Sequence, residues 1–332
     1  MANKGTVTAF KHQPETLEAD IRGAFERLQW RNYIKSDSRV FVKPNFTLPY
    51  FKPGITTHGS VIEATLAVLK DRASEVLIGE ADGGYGSYTA EYALKNHGVP
   101  DICGRTGTTM VNISQMERSR VTERINGKLI AVTIGKDLLN VDESVSLPVL
   151  KVHAVTKVSL SIKNLWGCHP DTLRLLDHKD LAEKLTLIAK SIHLRFALVD
   201  GIYGLNIHGP MDGVPVKVGV IILGDSPVAT DATACRLMGF DPARIKHIRI
   251  AANEGLGSYN TSDIDILEDL TAFQQKFRIE PAIVDRLGAL TFRSRFLSKI
   301  VFDSPLTKPI YRLTGRTHRR KIVKPGDEIL DK

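Results

Sequence analysis

Seventeen residues, Lys151 to Gly167, hold three lysines, a histidine, an asparagine and several hydroxyls: Lys151, His153, Thr156, Lys157, Ser159, Ser161, Lys163 and Asn164. Crowded lysines lose solvation and repel one another, so such a cluster makes sense where an anion gathers them. The plainer alternative is a solvated strand edge followed by an ordinary helix. Perturbed ionisable groups collect at functional sites, which favours the first view. His153 is the candidate proton-transfer residue, because histidine titrates near neutral pH without a large shift. Lys163 joins it as a candidate catalytic group. Glu80 or Asp200 is the candidate partner of His153, or the holder of a divalent cation.

Ligands of parallel α/β sheets bind at the carboxyl ends of the strands. Five expected strand ends carry polar groups: Lys43-Pro44-Asn45, Glu80-Ala81-Asp82, Lys151-Val152-His153, Asp200-Gly201 and Gly224-Asp225. Each alone is weak, since a strand-end Asp-Gly is usually a turn. Together they nominate Lys43, Lys151 and Lys163 to neutralise an anion, and Asn45 and Asn164 to orient it. Thr57 or Ser60 is expected to cap the helix that follows, where free amides suit a phosphate or carboxylate. His58 is either an acid–base residue there or a loop residue. Asp231 either turns toward the cluster or is solvated.

Two glycine-rich loops border these positions. Glu80-Ala-Asp-Gly-Gly-Tyr-Gly86 lacks the lysine and hydroxyl of a Walker loop and is not a GxGxxG fingerprint. Gly204-Leu-Asn-Ile-His-Gly-Pro-Met-Asp-Gly213 follows Asp200 closely and is expected over the same rim. His153, His169 and His178, with Asp171 and Asp177, lie close in sequence, but no pair has the spacing of a zinc site. The metal is therefore left unassigned, with a divalent cation as a candidate.

The elements that must position these groups alternate. A helix near 15–29, a strand at Arg39–Lys43, a helix at 60–72, a strand at Glu75–Gly79 and a helix at 88–97 predict a mostly parallel sheet with crossover helices, a Rossmann-like α/β fold. Residues 108–146 are more β-rich, with Asn126-Gly127 as a hairpin turn. A strand Val145–Lys151 is expected to lead into the cluster. Further strands are expected at 196–199 and 216–223, and helices at 180–193, 226–238 and 242–254. The segment 151–167 also fits a strand, but at about 43 Å that strand would be far too long. A turn and a helix capped by Thr156 and stopped by Gly167 are preferred.

The chain has 332 residues, 42% apolar and 25% charged, as in an ordinary globular protein. No apolar run approaches the roughly 20 residues that span a bilayer. The N-terminus has no apolar segment after its charge, so no secretory signal is expected. Cys103, Cys168 and Cys235 are far apart, which argues against a disulfide framework and an iron–sulfur cluster and favours a cytoplasmic location. The net charge of +8 belongs to one segment: residues 286–324 hold eleven Lys/Arg and a single acid, Asp303. Phe292, Phe296, Leu297, Ile300 and Val301 form a helical stripe within it. Such a stretch suits an anionic membrane surface or a partner protein, or packs on the body or a second copy of the chain. Nucleic acid is disfavoured, because Tyr311 is the lone aromatic in the later basic run.

The motifs Lys43-Pro-Asn45, Thr57-His58, Gly79-Glu80, Leu147-Pro-Val-Leu-Lys-Val-His153, Ser161-Ile-Lys-Asn-Leu-Trp-Gly167, Asp200-Gly201, His208-Gly-Pro210 and Ala229-Thr-Asp231-Ala recur in that order. In this the chain resembles the domain-of-unknown-function family 362 (DUF362) over roughly 38–257. The resemblance implies an α/β domain and a bacterial or archaeal origin. Some relatives append a ferredoxin module with two four-cysteine clusters, which three cysteines cannot supply. The chain divides into an entry segment 1–37, the family-like domain 38–257 and an extension 258–332. Two functions follow. One is an enzyme acting on a small anionic substrate, phosphorylated or carboxylated, in a cleft lined by Lys, His and Asn. The other is a non-catalytic metabolite-binding or scaffold protein docked through its basic tail.

Overall fold

The computed structural model describes residues 4–280, 291, 294–302 and 304–306. Its first half alternates as the periodicity predicts. Strand β1 (Gly5–Lys11) and helix α1 (Leu17–Arg27) precede β2 (Arg39–Pro44), α2 (Gly59–Lys70), β3 (Glu75–Glu80), α3 (Ala90–Asn96), α4 (Val99–Thr106) and β4 (Thr109–Asn112). A hairpin, β5 (Arg118–Ile125) and β6 (Lys128–Gly135), turns at Asn126-Gly127, both with positive φ. That is the backbone a tight two-residue turn demands. Then come β7 (Glu143–Leu147), β8 (Val149–His153), β9 (Lys157–Val158), α5 (Ser161–Asn164), α6 (Leu181–Ser191), β10 (Leu194–Asn206), β11 (Val214–Gly224), α7 (Pro227–Leu237), α8 (Lys246–Asn253), β12 (Ile264–Ile266) and α9 (Arg295–Phe302).

The main sheet runs β12-β1-β11-β10-β7-β2-β3-β4, with β8 added beside β10. Its pairings are parallel except those of β11, antiparallel to both β1 and β10, and that of the two-residue β9, antiparallel to β8. The fold is thus α/β, a mostly parallel sheet with crossover helices. Side chains alternate across it with period two. Val40, Val42, Ile221 and Leu223 enter one apolar core with α1, α2 and α4. Phe41, Val220 and Ile222 enter the other, with α6, α7, α8 and the β5–β6 hairpin. A sheet covered on both faces leaves its strand ends as the natural place for polar chemistry.

Several expectations are corrected. The entry segment supplies β1, which lies inside the sheet, and β12 from beyond residue 257 pairs with it. The single strand expected at Val145–Lys151 is two, because Pro148 has no N–H to continue the ladder: β7 pairs with β2 and β10, and β8 pairs farther along β10. Thr156 caps no helix. Its Oγ1 donates to Val158 O at 2.9 Å within the β8–β9 turn. The helix starts at Ser161, where the buried Asp231 carboxylate accepts from Ser161 N (2.8 Å), Ser161 Oγ (2.6 Å) and Ile162 N (3.1 Å). An aspartate far away in sequence thus does the capping that Thr156 was expected to do, and it is not solvated. Asp200 sits inside the thirteen-residue β10 and does not end it. Asp225 ends the antiparallel strand, so it lies at the opposite edge of the sheet, accepting from Thr6 N at 2.8 Å.

Of the basic segment, α9 is described. It packs against the turn at 174–177, with Ser298 buried and Phe296 and Leu297 exposed. Phe292, Tyr311 and residues 307–324 lie outside the described residues.

Candidate functional site

β2, β3 and β8 end on the same edge of the sheet, and their last residues meet there. Lys43 Nζ donates to Glu80 Oε2 at 2.6 Å and to Pro44 O at 2.8 Å, with the lysine side chain 1% exposed. Glu80 also accepts from Phe46 N at 3.2 Å and Ala81 N at 3.0 Å. A buried ion pair persists only with such extra hydrogen bonds. Gly167 closes over it: a Cβ there would lie 2.5 Å from Glu80 Oε1 and 2.9 Å from Lys43 Nζ. Gly167→Ala should therefore cost about 1–3 kcal/mol by overpacking. Urea unfolding checks this, and wild-type stability would show that the pair has room to give.

Lys151 is fully buried on a second set of partners. It donates to Asn45 Oδ1 (3.0 Å), Thr47 Oγ1 (2.9 Å) and Ile55 O (2.8 Å). Burial pulls its pKa well below the lysine range, followed by repulsion from Lys163; Glu80 pulls the other way. Three acceptors match the three N–H groups of an ammonium and oppose that fall. Thr57 ties the strands together, its Oγ1 accepting from Asn45 N (2.8 Å) and donating to Leu147 O (2.7 Å). Asn164 Nδ2 donates to Lys43 O at 3.0 Å and Ser146 Oγ at 3.1 Å.

Thr57 leaves the capping of α2 to His58, whose Nδ1 accepts from Ser60 N at 3.2 Å. His58 N donates to Asp200 Oδ2 at 2.8 Å, and Ile202 N donates to Asp200 Oδ1 at 3.1 Å. Burial pushes the Asp200 carboxyl up to about 6 against those bonds. The 204–213 loop does lie over this rim, with Ala154 N donating to Gly209 O at 3.1 Å.

Lys163 differs from the other lysines. It is 9% exposed, and among the described residues it has no hydrogen bond and no ion-pair partner. Burial, then the Arg174 charge, brings its pKa down to about 8. Its own charge is felt by Lys151, His153, His178 and His247. Burial is the first cause of the shift in all three rings: His153 falls well below 6.5, and His178 and His247 fall to about 3. All three are neutral at pH 7. His153 Nδ1 accepts from Val155 N at 3.1 Å, so its proton sits on Nε2. His178 Nδ1 faces Arg174 O (3.3 Å) and Leu175 O (3.0 Å), which places its proton on Nδ1. Trp166, one turn beyond Lys163, packs edge-on to His178 at 5.3 Å between centroids. Trp166 Nε1 and His247 Nε2 are buried without a hydrogen-bond partner among the described residues.

The expected residues thus fall into linked groups: Lys43 with Glu80 and Asn164; Lys151 with Asn45 and Thr57; His58 with Asp200; and Lys163 with His153. Sequence patterning missed His247 and the orphaned indole nitrogen. His247 lies beside Ile248, Ile250 and Ala251 on the buried face of α8, where a lone histidine looks like core. Among the described residues no three or more His, Cys, Asp or Glu are grouped to hold a metal ion. His169 and His178 both contact the Trp166 ring, and His169 Nε2 lies 3.7 Å from Asp177.

The family model "Domain of unknown function (DUF362)" matches residues 40–236. A thylakoid-associated protein of Synechocystis sp. is 26% identical over 256 residues, covering 74% of this chain and 77% of that protein. The lactate racemase apoprotein from Thermoanaerobacterium thermosaccharolyticum superposes with a TM-score of 0.44 at 12% identity. That match covers 71% of this chain and 57% of the racemase, so the chain spans a little over half of that structure's length.

Proposed function

The chain belongs to the DUF362 family, and we propose that it is an enzyme acting on a small anionic substrate, carboxylated or phosphorylated, held at Lys163. One observation carries the proposal. Lys163 Nζ has no partner among the described residues, and neither do two buried ring nitrogens, Trp166 Nε1 one turn along the chain and His247 Nε2, whose ring feels the Lys163 charge. Buried polar groups are normally satisfied, so a set left open together fits a ligand that completes it. An anion is the suitable ligand, since a lysine and an indole can only donate.

Lys151 already has three acceptors and Lys43 is paired with Glu80, so they shape the site while Lys163 meets the anion. Asn45, Thr57 and Asn164 brace the backbone beneath it. His153, neutral with a proton on Nε2, offers that N–H as a hydrogen-bond donor. Glu80 keeps Lys43 in place, and the Asp200–His58 pair fixes the neighbouring loop. A divalent cation, if the reaction uses one, would compete with Lys43 for Glu80.

Location follows the same chemistry. The three cysteines are buried and free, which suits a reducing compartment. Among the described residues no helix is long and apolar enough to cross a membrane. The thylakoid association of the Synechocystis relative and the eleven bases of 286–324 favour peripheral attachment to an anionic membrane surface.

Calorimetric titration with oxalate and with inorganic phosphate tests the site. Binding should weaken at least about tenfold, or 1.4 kcal/mol, in Lys163→Ala and stay unchanged in the exposed-surface variant Lys95→Ala. Equal binding by wild type and Lys163→Ala would move the anion elsewhere.

A further inference from the structure

We infer that the substrate of this site is a small 2-oxo acid, which Lys163 holds as an imine. The inference rests on the anion site proposed above and adds its chemical class and a covalent step. The chain places two kinds of group together. Trp166 Nε1 and His247 Nε2 are buried, have no partner among the described residues and carry no charge, so they can receive a carboxylate without becoming a competing ion pair. Lys163 lies one turn before Trp166 and within electrostatic range of His247, and no carboxylate side chain of the described residues pairs with it.

That absence separates Lys163 from the buried or nearly buried lysines that serve structure. Lys43 is paired with Glu80 at 2.6 Å, and Lys184 with Asp177 at 2.6 Å. Lys151 is tied to three oxygens. A lysine placed only to keep the fold would be expected to have found similar partners. An amine kept apart from carboxylates, in a desolvated setting beside other cations, is the arrangement that leaves a lysine nucleophilic. The pKa of about 8 agrees, since an appreciable fraction of the amine is then neutral near pH 7. The surrounding rings are neutral too, so none of them must lose a proton before the amine can react.

The step balances with groups on hand. The lone pair of the neutral Lys163 amine forms the N–C bond to the substrate carbonyl carbon, and the carbonyl π pair moves to oxygen. That oxygen takes one proton from the amine nitrogen and one from solvent, the proton that Lys163 released in passing from ammonium to neutral amine. The C–O bond then breaks, water leaves, and a protonated imine remains on Lys163. The substrate carboxylate stays with Trp166 and His247. No oxidant or reductant is consumed.

Reductive trapping of the full chain tests this. Pyruvate and glyoxylate are each incubated with the protein and sodium cyanoborohydride, and intact mass and peptide mapping follow. The expected result is one reduced substrate equivalent per chain, mapped to the peptide containing Lys163. Oxalate, which has the carboxylates but no ketone or aldehyde, should suppress it, and Lys163→Arg should abolish it. Mapping on the wild-type chain carries the test even where Lys163→Arg does not fold.

No adduct at Lys163, with oxalate still bound in a Lys163-dependent way, overturns the imine and leaves the anion site standing. No adduct and no oxalate binding overturns both. Labelling spread evenly over exposed lysines and insensitive to oxalate also overturns the imine.

Discussion

Lys43→Met should destabilise the protein by about 3–5 kcal/mol, and Lys43→Met with Glu80→Leu should recover most of that loss. The lysine is 1% exposed and the glutamate side chain 7%, so neither charge can turn to water when its partner goes. Removing the ammonium leaves Glu80 with two backbone donors, Phe46 N and Ala81 N, for a buried carboxylate. It also leaves the Pro44 carbonyl to the longer bond from Asn164 Nδ2 at 3.4 Å. The double variant removes both desolvated charges, and a well-packed apolar pair is often no less stable than the ion pair it replaces. Urea unfolding of the four proteins closes the cycle. A loss under about 1 kcal/mol in Lys43→Met would mean that the pair is solvated. Ligand binding in the double variant would then separate shape from charge at the site.

The pair was legible in part. Lys43-Pro-Asn45 and Glu80 stand at the ends of consecutive strands, and parallel strands joined by a crossover put their ends on one edge. Neighbouring strands therefore brought the two residues together without further information. What could not be read was which lysine would be left over. That depends on Asn45, Thr47 and Ile55 converging on Lys151, contacts that span about a hundred residues of chain. β1 was missed although Thr6-Val-Thr-Ala9 alternates polar and apolar residues, and its alternation does not mark a half-exposed strand, since Val7, Thr8 and Ala9 are all buried. The start of α5 was misplaced because local capping rules favour a nearby hydroxyl, and Thr156 was nearest. Its cap is Asp231, seventy residues on, which the sequence marks as nothing more than an acid inside a helix. His247 was invisible because a histidine flanked by isoleucine and alanine carries the pattern of a core position until Lys163 is placed beside it.

Acidification should unfold this protein early, and His247→Phe should make the loss shallower by about 1.4 kcal/mol per pH unit between pH 6.5 and 4. Burial is the main reason that His178 and His247 titrate at about 3 in the folded chain, against 6.5 when exposed. A ring with a depressed pKa contributes its full stability above the unfolded value, and that contribution is lost as pH falls from 6.5 toward 3. His97, brought down to about 4 by burial, and His153 act in the same direction. Two carboxyls oppose them. Burial raises Asp231 to about 7 and Asp200 to about 6, against 3.8 in the open chain. As pH falls from 7 to 4 the folded state takes up those protons first, so these groups add stability on acidification. At pH 4 the two carboxyls offer roughly 7 kcal/mol together, about what His178 and His247 remove, taking 1.36 kcal/mol per unit. His97 and His153 then tip the balance toward unfolding. In His247→Phe one opposing ring is gone. Its Nε2 has no hydrogen bond among the described residues to lose, so the variant should lose less stability than wild type between neutral pH and pH 4. Denaturant midpoints measured at half-unit steps decide the matter. Parallel slopes for the two proteins would place His247 in water, and with it would go one wall of the anion site.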